Sequence, residues 1–304
     1  MDFIKPSVIQ DNNVISTNVP NDSGVTLWST GQTIVTGDVR RYEATNKHWI
    51  VRALQNHTTS SANAPTGLNT DEFWVYLYDT NPWRMFDNSS TSQSSNAELI
   101  NVTLAITEAV NSVALINVEG QTATVTISDL NDTVVYTRTE GLIRTDNVYD
   151  WWSYFFAPIE RKTDVVLSDI PIYYLSKVNV QVVNEGGTAK LGAFIAGQYQ
   201  SAGFTEYGMK LGIRDFSYKD ADEFGNYVIT ERRFSKTMTL TSVIEAEKMD
   251  AIKYTFDALR ATPIVYIGST EYSSSYVYGF YKDCYIVAQY PSHSIMNIEI
   301  EGLA

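Results

Sequence analysis

Between residues 100 and 198 apolar side chains alternate with polar ones in successive runs: INVTLAIT, NSVALINV, ATVTISDL, TVVYTRT, TDVVLSD, KVNVQVVN and KLGAFIAGQ. A period of two sends successive side chains to opposite faces of a strand, and β-branched residues suit a pleated, half-buried surface. Several such runs at regular spacing predict an antiparallel β-sandwich or jelly roll over 96–200. Pro158 and Pro171 fall between runs, as strand ends require. Gly186-Gly187 predicts a hairpin, because paired glycines supply the positive φ angles of a tight turn. The runs on either side of it are then antiparallel neighbours.

The pattern changes over 201–304. YGMKLGIRDFSYKDADEFGNYVITERRFSKTMTLTSV reads as a strand, a polar turn around Asp222-Glu223-Phe224-Gly225-Asn226, and a strand. Ala246, Met249, Ile252, Phe256 and Leu259 then recur at spacings of three and four, which predicts a helix near 245–260 that ends before Pro263 and buries one face. ATPIVYIG, YVYGFYKDCYIVAQYP and IMNIEIEGL return to strand character with many tyrosines. The outline is β–β–α–β–β–β, a β-rich α+β domain with one helix.

Upstream, residues 1–24 carry the short apolar pieces Phe3-Ile4 and Val14-Ile15 among polar residues and read as an extended arm. It lies on its own chain or reaches a neighbouring subunit; in the second case Phe3, Ile4, Val14 and Ile15 are assembly contacts. Deleting 1–24 is then expected to leave a folded protein that no longer enters assemblies. Residues 25–87 hold a dense set of aromatics, Trp28, Tyr42, Trp49, Phe73, Trp74, Tyr76, Tyr78 and Trp83, which predict a small three-stranded module. The polar stretch 88–96, NSSTSQSSN, is too hydrophilic to pack and marks a boundary or long exposed loop. The chain is thus expected to be mainly β, with arm 1–24, module 25–87, sandwich 96–200 and α+β domain 201–304.

Composition narrows the function. With 304 residues, 44% hydrophobic and 19% charged, the chain is long enough for at least two cores and too apolar for wholesale disorder. A net charge of −13 repels a phosphate backbone, so nucleic acid is not an expected partner. The first residues lack the apolar run of a secretory signal, and no stretch approaches the roughly 18 apolar residues of a membrane span. Synthesis in a reducing cytosol and no membrane insertion are expected. The single cysteine, Cys284, forms no intramolecular disulfide, and His48, His57 and His293 are scattered, so no metal or other cofactor is implied.

No phosphate loop, serine nucleophile elbow, HExxH or cysteine cluster occurs in the sequence. Asp146 and Asp150, or Asp220, Asp222 and Glu223, are the first candidates for a glycosidase carboxylate pair. Their turn-like contexts also suit Asp that bonds local backbone. Cys284 inside a strand reads as a buried structural thiol. No catalytic residue is assigned, and an enzyme acting on polysaccharide is the last-ranked reading. Flat aromatic side chains match the apolar C–H faces of sugar rings, which makes Trp28, Trp49, Trp74 and Trp83 the candidate carbohydrate contacts. A module of this size also needs large side chains simply to make a core.

The order Trp28-Ser29-Thr30-Gly31, Val35-Thr36-Gly37-Asp38-Val39, Trp49, Pro65 and Phe73-Trp74 resembles the small chitin- and cellulose-binding modules attached to glycosidases. It departs from them in a longer loop before Trp74 and in Trp49 where tyrosine is common. Over the whole chain, FIKPSVI with VISTNVP, NPWRMFD, DWWSYFFAPIERKTDVVLSDIP, GGTAKLGAFIAGQ, DEFGN with ERRFSK, RATPIVYIG, YGFYKD and IEIEGL resemble, in order, a family of tailed-bacteriophage virion proteins. That resemblance implies a tail, collar or baseplate component of the virion. Its expected partners are other copies of itself and neighbouring phage tail and neck proteins. Contact with host-surface glycans is the alternative, in which the chain serves receptor adsorption.

Overall fold

Each run of alternation between 100 and 198 falls in a strand of the computed structural model, which describes residues 1–67, 72–144, 148–158, 160–221 and 224–303. In chain order the elements begin with β1 (Asp2–Pro6) and β2 (Val14–Thr17). The aromatic module follows, with β3 (Thr33–Ile34), β4 (Val39–Ala44), β5 (Lys47–Ala53), β6 (His57–Thr58) and β7 (Trp74–Asp79). The sandwich comprises β8 (Ser94–Ile106), β9 (Ser112–Glu119), β10 (Thr122–Ser128), β11 (Val134–Gly141), the short helix α1 (Trp151–Phe156), β12 (Val165–Leu167) and the long β13 (Ser176–Ser201).

β13 is the spine. Its first part, 176–183, lies between β8 and β10, and its second part, 190–197, pairs with β9. Alternate residues Val178, Val180 and Val182 face Ile100, Val102 and Leu104 of β8 and Val125 and Ile127 of β10 in one buried cluster. Each such side chain, fully withdrawn from water, contributes about 1.5–3 kcal/mol before conformational entropy is counted. Gly186-Gly187 makes no hairpin. Residues 184–187 bulge out opposite Glu98 alone, and β13 resumes pairing with the same strand, Thr188 against Ala97. Gly186 takes φ +71°. A bulge and a tight turn both need that left-handed backbone, so the glycines mark the irregularity without deciding whether the chain reverses.

The N-terminal arm is docked on its own chain. β1 lies antiparallel between β13 and the C-terminal strand β19 (Ile264–Ile267), with Ile4 opposite both Tyr199 and Val265. Phe3 and Ile4 are 2% and 0% exposed, and the terminal amino group donates to Gly203 O. β2 pairs with β8, which places Val14 against the sandwich and leaves only Ile15 of the four expected assembly contacts facing outward. Phe3 and Ile4 are therefore core residues and cannot reach a neighbour, because extracting them would open the central sheet.

The C-terminal part adds β14 (Phe204–Thr205), β15 (Lys210–Asp215), β16 (Tyr218–Ala221), β17 (Tyr227–Thr230), β18 (Phe234–Glu245), the helix α2 (Met249–Ala258), β20 (Tyr276–Val287) and β21 (His293–Gly302). Its strands run in the order β19-β20-β21-β18-β14 and continue through β1 into β13, giving one fourteen-stranded antiparallel sheet among the described residues. The expected division at 200–201 thus coincides with the end of a strand, and the sheet carries on across it. α2 buries Ile252 and Phe256, with Phe256 against Phe3 (ring centroids 5.4 Å) and Tyr281 (5.9 Å). The serine-rich stretch 88–96 is also packed. Ser94 is fully buried, Ser90 Oγ donates to Leu303 O (2.7 Å), and Asn117 Nδ2 donates to Ser90 O (2.8 Å). Short hydroxyl side chains there satisfy backbone groups that meet at the junction of module, sandwich and C-terminal strands.

Candidate functional site

The aromatic module is a three-stranded sheet, β4-β5-β7, with Asn46 at φ +56° closing the β4–β5 turn. Cross-strand register sets Tyr42 beside Trp49. From there an edge-to-face ladder runs outward, Trp28 to Tyr42 at 5.5 Å and Trp49 to Tyr76 at 6.0 Å, with Lys47 Nζ 5.3 Å from the Trp49 ring. Trp74 lies in the module core at 1% exposure and donates its indole N–H to Asn63 O (2.8 Å). It has no accessible face for a sugar, so its place among the candidate contacts falls: with one small sheet to stabilise, the largest side chain is spent on the core. Trp83 stacks on His48 (4.1 Å, 3° between planes), and His48 Nε2 meets Asp11 Oδ1 at 2.7 Å. Trp28, Trp49 and Trp83 are half-buried and each packs on another aromatic ring, so the four tryptophans do not form one open platform.

The NPWRMFD segment, 81–87, ties this module to the rest. Met85 inserts into the sandwich core, Asn81 Nδ2 donates to Pro20 O and Ser95 O, and Arg84 bridges Asp22 (2.9 Å) while lying over the Tyr78 ring (4.9 Å). Two half-buried carboxylates lie in the same place. Burial pushes Asp79 up to about 7, with the Asp87 charge adding to it, and burial lifts Asp87 to about 6 against the hydrogen bonds from Ser92 and Ser89. Unfolded aspartates titrate near pH 4, about their ordinary value. Between that value and the raised ones the folded chain holds protons that the unfolded chain has released, so stability falls as pH rises through this window. Asp79→Asn is expected to raise the urea midpoint near pH 8, by on the order of 1 kcal/mol after solvent screening, and to flatten the difference from about pH 5. An unchanged or lower midpoint near pH 8 would mean that Tyr76 and Arg84 hold the charge comfortably.

Of the carboxylates considered for catalysis, Asp150 and Asp220 lie among the described residues. Asp150 caps α1, accepting from Ser153 N at 2.7 Å, and that bond holds its carboxyl below the ordinary range. Asp220 sits on the exposed β16–β17 hairpin and accepts from Tyr218 OH (2.7 Å). Asp146, Asp222 and Glu223 lie outside the described residues. Burial pushes the Cys284 thiol up to about 11, which suits a structural residue.

The feature that sequence reading passed over is exposed apolar surface. On α1, Trp151, Trp152, Tyr154, Phe155 and Phe156 are each 66–78% exposed, with Tyr149 just before them at 84%. Their ring contacts are with one another, such as Trp152 with Phe156 at 5.8 Å. Residues 142–144 and 160–162, on either side of α1, form a stalk zipped where Ile143 bridges Arg161 and Lys162 N donates to Leu142 O. The signal was in DWWSYFF itself: a helix apolar on all sides requires cover from something. A second projection is the hairpin β16–β17, where Tyr227, Val228 and Ile229 are 60–70% exposed.

Between these projections the surface is grooved. One groove of ≈ 630 Å³ is lined by Ile116, Phe234, Tyr276, Val277, Tyr278 and Leu303, with Arg232, Arg233 and Glu231 at its rim. A second of ≈ 410 Å³ adjoins it, sharing Thr163, Asp164, Phe234 and Lys236, and is walled by Arg144, Arg161 and Lys162 of the α1 stalk and by β15. Lys236 pairs with Asp164 across the two grooves, and Glu301, nearly buried, is held well below the usual carboxylate range by Lys282 and Arg214. No family model, curated protein or solved structure matches this chain.

Proposed function

We propose that this chain is a non-enzymatic structural component of a tailed-bacteriophage particle, a tail, collar or baseplate protein present in several copies. The observation that carries the reading is apolar: six aromatic side chains at 149–156 and a hairpin at 218–230 stand in solvent on a continuous β frame. Free-standing proteins rarely leave such patches uncovered, and larger ones mark sites of assembly. The run of motifs that resemble virion proteins supplies the kind of assembly. Host-surface glycan contact is a weaker second reading, since Trp74 is enclosed and its three companions pack on other rings.

Mass spectrometry of purified particles from a culture producing this chain tests the proposal. Recovery in fixed, multiple proportion to other virion proteins is the expected result. Absence from particles, or release of reducing ends from host polysaccharide by the purified chain, would overturn it.

A further inference from the structure

We propose that the groove beside β20 receives the aromatic helix α1 of a second copy of this chain, with Asp150 of the incoming helix set toward Arg232 and Arg233. The inference rests on the reading of the chain as a multi-copy component and names the contact through which copies meet.

Area is the first argument. The six aromatics at 149–156 are 66–84% exposed, and at roughly 200 Å² per ring system they present about 800 Å² of apolar surface. That exceeds the patch of about 300–600 Å² usual on a monomer. The second argument is shape. α1 projects on a zipped stalk, and the groove, at ≈ 630 Å³, has the size of pockets that enclose a drug-sized ligand, room for one edge of the helix, with Phe234, Tyr276 and Leu303 lining it beside the polar Ser90, Asn117 and Asp164.

Charge selects the occupant. The chain as a whole carries −13, so two copies repel one another unless the contact is locally matched. Residues 148–158 hold a single charge, Asp150. Residues 210–236 hold six basic and five acidic side chains, net +1, which leaves −14 on the remainder. The groove itself is lined by Arg232, Arg233 and Lys236 against Glu231 and Asp164, so an acid-capped aromatic segment meets no net repulsion there. The same overall charge disfavours an anionic membrane as the target of α1. Stalk and groove adjoin on one face, since Arg144, Arg161 and Lys162 wall the neighbouring groove. Two copies meeting face to face can therefore exchange helices reciprocally about a two-fold axis.

Sedimentation of the full-length chain across a concentration series is the test. Self-association is expected in the parent. The double variant Trp152→Ser with Phe155→Ser is expected to weaken it tenfold or more, as removal of interface aromatics does. At concentrations where both are monomeric, its melting temperature should match the parent's, because α1 stands clear of every core. Arg233→Glu should weaken association from the groove side. In a Cys284→Ser background, chains carrying Phe155→Cys mixed with chains carrying Phe234→Cys, a groove position that is 55% exposed, should form a disulfide-linked pair that neither forms alone. A parent that is monomeric throughout, a double variant that associates normally, or absence of the mixed cross-link would overturn the proposal. Flotation with phosphatidylcholine–phosphatidylglycerol vesicles, abolished by the same double substitution, would reassign α1 to a membrane and also overturn it. Exclusion of the chain from particles, with association and cross-link intact, would defeat the virion reading alone.

Discussion

A chain lacking residues 1–6 is expected to fail to fold: insoluble on expression, or soluble with a lost thermal transition and dye-accessible apolar surface. β1 is paired on both edges, to β13 and to β19, so its removal leaves two rows of backbone donors and acceptors without partners in the middle of the sheet. It also withdraws Phe3 and Ile4 from the cores that they fill, Phe3 against Phe256 and Ile4 among Ala114, Ile195 and Val265. Truncating buried side chains of that size to alanine costs about 2–5 kcal/mol each. Domains are stable by only about 5–15 kcal/mol, so loss of the strand and both side chains removes most of the margin. Ile4→Ala alone is expected to lower stability by about 2–5 kcal/mol in a urea titration. If the truncated chain melts where the parent does, β1 is a dispensable tether.

Gly197→Ala is expected to cost about 3 kcal/mol or more and to lower the melting temperature by several degrees, from a backbone collision rather than a lost contact. A Cβ at Gly197 would stand 2.0 Å from Lys5 O and 3.0 Å from Pro6 Cα. Both are backbone atoms of β1, so no side-chain rotation relieves them. Nor can β13 withdraw, because Gly197 also pairs with Ser112, and its carbonyl accepts from Asn111 N (3.1 Å) and Ser112 Oγ (2.9 Å). The collision pushes β1 off the sheet at the point where sandwich and C-terminal strands join. Gly141→Ala, with open space around the new methyl, serves as the control and should stay within about 0.5 kcal/mol. Equal melting of the two variants would show that β1 can shift without loss.

The strand runs between 100 and 198, the helix with Ile252, Phe256 and Leu259 on its buried face, and the three-stranded aromatic module were legible because each depends on a local repeat. Period two and spacings of three and four are imposed by backbone geometry and survive any tertiary arrangement. Failures came where one local signal serves two arrangements. Gly186-Gly187 supplies left-handed backbone to a bulge as readily as to a turn, and the continuing pairing with β8 shows which was built. Trp74 and the half-buried tryptophans share a composition with sugar platforms, and only packing distinguishes a core ring from an open one.

Two features lie deeper in the tertiary structure. DFIKP is five residues long and ends in proline, so nothing local marks it as a central strand. Its partners, 197–201 and 265–267, are remote in sequence, and the pairing exists only once β13 and β19 leave a gap for it. DWWSYFF announces buried surface by composition, and the fold leaves it outside. Backbone periodicity is enough to mark most strands, the helix α2 and their apolar faces. Which of those faces meet within one chain, and which remain for another, follows from how the elements pack, because burial is a property of the space between elements and no single segment encodes it.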